Sequence, residues 1–268
     1  MKMYKKVLAI AGSDSGGCAG IQADLKTISA LGCYGASAIT AITVQNTVGV
    51  RDVLPLETTL VRAQIAAVLE DIGADAIKIG MLGSPAIAKD VAAELSRFEI
   101  KNIVLDPVLV ATSGDELTVR ETVEVILTQL MPLATIITPN IPEAEVLSGV
   151  KILSPDDYTS VWDALASRGA KALLLKGGHA EGSQIVEDVL FTPGSVHRIT
   201  NDRISTPNTH GTGCTLSSAV ASLLARGYSL TDAVDQATTY IHKAISAGCD
   251  YKLGQGHGPV HHFFQWWE

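Results

Sequence analysis

The run Asn208-Thr209-His210-Gly211-Thr212-Gly213-Cys214-Thr215 leads straight into an apolar helical pattern. Its residue types suit one kind of chemistry. Glycines let the backbone approach a ligand closely, and the first amides of a helix point outward without intrahelical partners. Gly211, Thr212 and Gly213 could therefore cradle an anion, such as the charge that builds on a transferring phosphoryl group. Cys214 falls in the first turn, where a thiol would meet the reacting atoms. A plain glycine turn ahead of a helix would read the same way, so the rest of the chain has to decide.

Polar residues that could complete such a site recur at the ends of apolar runs. Residues 7–11 close with Gly12-Ser13-Asp14, residues 36–44 with Gln45-Asn46, and residues 76–79 with Gly80-Met81. Residues 102–105 close with Asp106-Pro107, residues 135–138 with Asn140, and residues 172–175 with Lys176-Gly177-Gly178-His179. Each has a bland reading. Asp106-Pro107 and Gln45-Asn46 suit turn starts. Asn140 with Glu143 could cap a helix, and Lys176 could be a surface lysine lying along apolar neighbours. Six such ends are harder to dismiss together, because ligands of open parallel sheets bind beyond the carboxyl ends of the strands.

The positioning elements follow from periodicity. Helical spacing marks residues 20–31, 58–72, 85–98, 119–130, 142–147, 155–167, 215–225 and 230–247. Ser229 and Asp232 form a variant capping box for the last of these. Short apolar runs between the helices read as strands, and residues 186–191 and 195–200 as a hairpin across Pro193-Gly194. This alternation predicts an α/β fold with a mostly parallel central sheet flanked by helices on both faces. No linker or repeat divides the chain, so residues 1–268 are expected to form one domain.

Composition narrows the function. The 268 residues are 47% hydrophobic and 18% charged, ample for a large core. A net charge of −8 argues against nucleic acid and requires a local positive site for any anionic substrate. Four cysteines without a C-x-x-C pair point to a reducing, cytoplasmic setting, and no apolar run is long enough for a membrane span. His257, His261 and His262 lie in a Gly/Pro-containing tail without neighbouring thiols or carboxylates, which disfavours zinc. Phe263, Phe264, Trp266 and Trp267 read as a docking segment over the body or a second subunit. Neither a Walker-type G-x-x-x-x-G-K-[ST] nor a G-x-G-x-x-G after the first strand is present.

In this order the motifs resemble those of the hydroxymethylpyrimidine/phosphomethylpyrimidine kinases of thiamine biosynthesis, within the ribokinase-like superfamily. The matching segments run from Ala11-Gly12-Ser13-Asp14 and Ala19-Gly20-Ile21-Gln22-Ala23-Asp24 to Gly258-Pro259-Val260-His261-His262. The resemblance implies that Gln45 hydrogen-bonds an aminopyrimidine, with Asp24, Gly12, Met81 and Val108 completing its pocket. It implies Mg²⁺ at Asp106 and Glu143, ATP phosphates near Asn140 and Lys176, an anion hole at Gly211, Thr212 and Gly213, and Cys214 at the catalytic position. It further implies a homodimer. The nearest rival activity is phosphorylation of pyridoxal or pyridoxine, and a silent ligand-binding protein is a rival of another class.

Two expectations concern cysteines. Cys18 stands where relatives usually carry glycine; a positive φ there would strain the loop by roughly 1 kcal/mol. Cys214, at a helix start, is expected to ionise slightly more readily than an ordinary thiol, though by less than about one pKa unit.

Overall fold

Strand β1 (Lys6–Asp14) sets the layering. Its Val7, Ala9 and Ala11 join one apolar core, while Leu8 and Ile10 join another on the opposite face. A strand buried on both sides has no polar alternate, which is why residues 7–11 read as an unbroken apolar run. These coordinates come from a computed structural model that describes residues 2–109, 119–178 and 183–267. His179 lies outside the described residues.

The remaining strands are β2 (Tyr34–Asn46), β3 (Gly49–Pro55), β4 (Ala76–Ile79), β5 (Ile103–Leu105), β6 (Ile136–Ile137), β7 (Leu173–Leu175), β8 (Ile185–Thr192) and β9 (Ser195–Asp202). They form one nine-stranded sheet in the order β3-β2-β1-β4-β5-β6-β7-β8-β9. The six strands from β2 to β7 run parallel; β3 at one edge and β8–β9 at the other run antiparallel. Pro193-Gly194 does make the two-residue turn of the β8–β9 hairpin. Strand β3 escapes the sequence pattern because it is an edge strand with neither face fully covered.

Helices α1 (Gly20–Ala30), α7 (Thr212–Ala225) and α8 (Leu230–Gly248) supply the core on one face. Helices α2 (Thr58–Asp71), α3 (Pro85–Leu95), α4 (Arg120–Val125), α5 (Ile141–Ser148) and α6 (Tyr158–Ala166) cover the other. Each fully buried leucine or isoleucine stabilises this sandwich by about 1.5–3 kcal/mol. The expected helix over residues 119–130 is α-helical only to Val125; Ile126–Leu130 widens into a π-helix, with the Met131 amide donating to the Ile126 carbonyl. Residues 155–157 make a 3₁₀ turn before α6. At α8, Ser229 accepts from the Asp232 amide while its hydroxyl donates to the Asp232 carboxylate, half of a capping box.

Period two in the strands decides what reaches the α7 side. Ala76, Val104, Ile136 and Leu174 belong to the core beneath α7. Two residues further along each strand, on the same face, come Lys78, Asp106, Thr138 and Lys176. Four polar side chains therefore line up under one helix mouth.

Candidate active site

Helix α7 begins at Thr212, three residues before its apolar pattern becomes readable, so Gly213 and Cys214 sit inside its first turn. Gly211 is its N-cap, with φ at 82°, and a Cβ there would fall 1.9 Å from the Cys18 carbonyl oxygen. Only glycine fits this position. At Gly213 an added Cβ would stand 3.3 Å from Lys176 Nζ and 3.9 Å from an Asp106 carboxylate oxygen, which places both beside the helix mouth. Gly211, Thr212, Gly213 and Cys214 all open onto a cavity of about 730 Å³.

Along the cavity wall, Lys176 Nζ donates to Asp106 Oδ1 at 2.9 Å and lies 4.0 Å from Glu143 Oε2. Asp106 also accepts from the hydroxyls of Thr138 and Ser217. Burial works against the Asp106 carboxylate, but the Lys176 and Lys78 ammoniums and these hydrogen bonds outweigh it and hold the acid below its usual range. Glu143 is pushed up instead, chiefly by burial, with the Asp106 charge adding to it. For Lys176, the two carboxylates overcome desolvation and keep the ammonium charged. Asn140 and Glu143 form a full capping box at α5: Asn140 Oδ1 accepts from the Glu143 amide and Glu143 Oε2 from the Asn140 amide. The cap and the site are thus the same residues, since both also line the cavity. Two carboxylates offering hard oxygen donors fit a cation such as Mg²⁺, which takes one or two such groups and completes its shell with water and phosphate oxygens.

Gln45 closes β2, Gly12 lies in β1 and Met81 follows β4, toward the β2 side of the sheet from Lys176 after β7. Val108 lies two residues past Asp106, and all four line the cavity. Gln45 Nε2 lies 3.0 Å from His210 Nε2, and Thr43 donates to Gln45 Oε1. An amide nitrogen can only donate, so the imidazole nitrogen accepts. Val146 of α5, Leu216 of α7 and Ile241 and Ile245 of α8 add an apolar lining.

Three expectations need correction. Asp24 does not border the cavity. Its carboxylate is fully buried in α1, accepting from Lys78 Nζ at 2.8 and 3.0 Å and from the Ser218 hydroxyl at 2.8 Å. Burial opposes the Lys78 ammonium, but contact with Asp24 more than reverses this and keeps Lys78 protonated. Cys18 is unstrained: among the described residues every positive φ belongs to glycine, including Gly17 and Gly20 on either side of it. Cys214 is not eased toward the thiolate. Burial pushes its thiol up to about 11, although Lys78 and the Gly20 amide work the other way. At pH 7 roughly one molecule in ten thousand would carry the free thiolate.

Sequence reasoning placed Asp14 at a strand end without giving it a task, and missed other residues that build the site. Asp14 accepts from the Gly16, Cys18 and Ala19 amides and so folds the glycine loop over the cavity mouth. Asp188, buried on β8, fixes Gly177 by accepting from its amide. His262 Nε2 donates to Thr215 Oγ1 at 3.0 Å, and that hydroxyl donates to the Gly211 carbonyl, bracing the helix mouth from behind. Burial drops the His262 imidazole to about 3, so it is neutral there. Asp14 and His262 lay inside the quoted motifs, but spacing alone gives them no task.

A phosphate-sized cradle, a carboxylate pair with a lysine and the Gln45 amide within one cavity are the layout of a small-molecule kinase. Residues 14–261 match the family model described as phosphomethylpyrimidine kinase. The hydroxymethylpyrimidine/phosphomethylpyrimidine kinase of Rhizobium meliloti (strain 1021) is 48% identical over 262 residues, covering 97% of this chain and 98% of that one. The crystal structure of phosphomethylpyrimidine kinase from Clostridium difficile 630 superposes with a TM-score of 0.80 at 46% identity, over 90% of this chain and 99% of the other. The pyridoxal kinase of Staphylococcus aureus in complex with AMP-PCP and pyridoxal gives 0.88 at 36% identity, over 98% of this chain and 94% of the other. The fold is ribokinase-like, and the chain belongs to the phosphomethylpyrimidine kinase family.

Proposed function

We propose that this chain, as one kinase domain spanning residues 1–268, phosphorylates 4-amino-5-hydroxymethyl-2-methylpyrimidine with ATP and then phosphorylates the product to the diphosphate, in thiamine biosynthesis. The observation that carries this reading is one cavity lined by Gln45 and Met81, by the α7 mouth, and by Lys176 with Asp106 and Glu143, with Lys176 and Asp106 beside Gly213. Gln45 would exchange its His210 partner for the pyrimidine, with Gly12, Met81 and Val108 as the walls. Asp106 and Glu143 would hold Mg²⁺, which neutralises phosphate charge when bound. Asn140 and Lys176 would orient the donor phosphates, and the apolar lining by Ile241 would take the adenine.

Gly211, Thr212 and Gly213 would receive the charge of the phosphoryl group in flight. Cys214 stands beside that charge as a neutral thiol. Neutrality matters for the second transfer, whose acceptor is already a phosphate oxyanion and would be repelled by a fixed carboxylate. Phosphoryl transfer through a loose transition state leans on alignment and charge neutralisation, so a weakly basic thiol is compatible with turnover.

A homodimer accompanies this reading. Ile42, Val44 and Leu54 are exposed together on one face of the β2–β3 edge, an apolar patch suited to a second copy. No helix among the described residues is long and apolar enough to cross a membrane; a cytoplasmic setting is part of the proposal. The likeness to pyridoxal kinase favours one second reading, in which pyridoxal is also an acceptor. The test is ADP release with the free pyrimidine, its monophosphate and pyridoxal as competing acceptors, with and without Mg²⁺. Mg²⁺-dependent turnover of both pyrimidines above pyridoxal is expected. Turnover of pyridoxal alone, or ADP release indifferent to acceptor, would overturn the assignment.

A further inference from the structure

Beside Gln45, three side chains of different chemistry converge: the Asp14 carboxylate, the Cys18 thiol and the His210 imidazole. All three are buried, at 3%, 0% and 6% exposure, and one ligand atom from each lies within 4.8 Å of the others. His210 Nε2 and Asp14 Oδ2 are 3.8 Å apart. Around tetrahedral zinc, with bonds of about 2.0–2.3 Å, ligand atoms stand roughly 3.4 Å apart, so closure needs shifts of only about 1 Å. Asp14 and His210 reach the cavity wall, with Cys18 behind them.

Valence permits it. The Cys18 and Ala19 amides occupy both lone-pair sites of Asp14 Oδ2 and the Gly16 amide takes one on Oδ1, so the site left for a metal is the second one on Oδ1. The His210 Nε2 lone pair faces the Gln45 amide, which can move because it stands in the cavity. Among the described residues the Cys18 thiol makes a long contact, 3.7 Å, to the Gly16 carbonyl. One carboxylate and one thiolate, with a neutral imidazole, would just balance the charge of a dication. This donor set selects borderline metals over Mg²⁺, whose preference is for oxygen.

We infer that Asp14, Cys18 and His210 form a transition-metal site of the zinc type, separate from the Asp106–Glu143 pair, with its fourth position open to the cavity. Binding replaces the Cys18 S–H bond by a metal–sulfur bond and releases that proton to solvent. A metal there occupies the wall against which Gln45 works. Zn²⁺ therefore competes with the acceptor, a consequence that rests on the activity proposed above, whereas binding itself does not.

The test uses the full chain, freed of metal with a chelator and titrated with Co²⁺ in excess Mg²⁺. Thiolate ligation gives a near-ultraviolet charge-transfer band. One equivalent of band is expected in the wild type and in Cys214→Ser, and none in Cys18→Ser or Cys18→Ala, whose folding is checked by circular dichroism. No band, or a band that survives in both Cys18 variants, overturns the site. In turnover assays Zn²⁺ should inhibit the wild type competitively against the acceptor and at least tenfold more weakly in Cys18→Ser. Equal inhibition of both overturns the competitive consequence while the Co²⁺ band still judges the site.

Discussion

Two charged clusters lie under helix α7, built from the same residue types. In one, Asp24 accepts from Lys78 and from the Ser218 hydroxyl, with both charged side chains fully buried and their charges matched one to one. In the other, Lys176 faces Asp106 and Glu143 at the cavity, one cation against two acids. The matched, sealed pair ties α1, β4 and α7 together and has nothing left to offer a ligand. The unmatched, open one keeps a surplus of negative charge and room for a dication. Equal side-chain chemistry thus separates into scaffold and site by stoichiometry and access.

The comparison can be broken most severely at the sealed pair. Asp24→Ala strands a buried ammonium and should cost about 3–5 kcal/mol in urea unfolding, whereas Asp24→Leu with Lys78→Met should recover most of that loss. A double variant no better than the single one would mean the pair does more than satisfy itself. At the open cluster, Asp106→Asn should lower kcat/KM by about 10²–10³-fold, or about 2.7–4 kcal/mol, while shifting Tm by under about 4 °C. A large Tm shift with modest kinetic loss would make Asp106 scaffold after all.

Between the clusters, Cys214→Asp should favour hydroxyl over phosphate acceptors by about tenfold, near 1.4 kcal/mol, as the fixed charge repels the oxyanion. Equal effects on both acceptors would remove the case for a neutral thiol. Within any single pH unit the effect of acid is no larger than this. His262 accepts a proton near 6.5 when unfolded but only near 3 when folded. Protons therefore favour the unfolded chain as pH falls from about 6.5 toward 3. This one group steepens the acid loss of stability by up to about 1.4 kcal/mol per pH unit, and His262→Gln should flatten it in denaturant titrations.

Much of this was legible from residues alone because a parallel strand announces its own end: the apolar run stops, and the next side chain on the same face is Asp106 or Lys176. Asp24 was not legible in the same way. Helical spacing reveals a face but not the depth to which one acid on it sinks, and only the three-dimensional meeting with Lys78, 54 residues away, seals it from the cavity. Cys18 misled because a glycine-rich loop does not say which of its residues carries the left-handed turn; Gly17 and Gly20 do. Cys214 misled because a helix start speaks of the local dipole, while the larger influence is burial contributed by distant strands. Strand β3, lacking a covered face, left no alternation to read.

The brace behind Gly211 has a consequence for synthesis of the chain. Thr215 waits for His262, a partner translated 47 residues later. Without His262 all nine strands remain in the chain, but the Thr215 hydroxyl, and through it the Gly211 turn, loses this support.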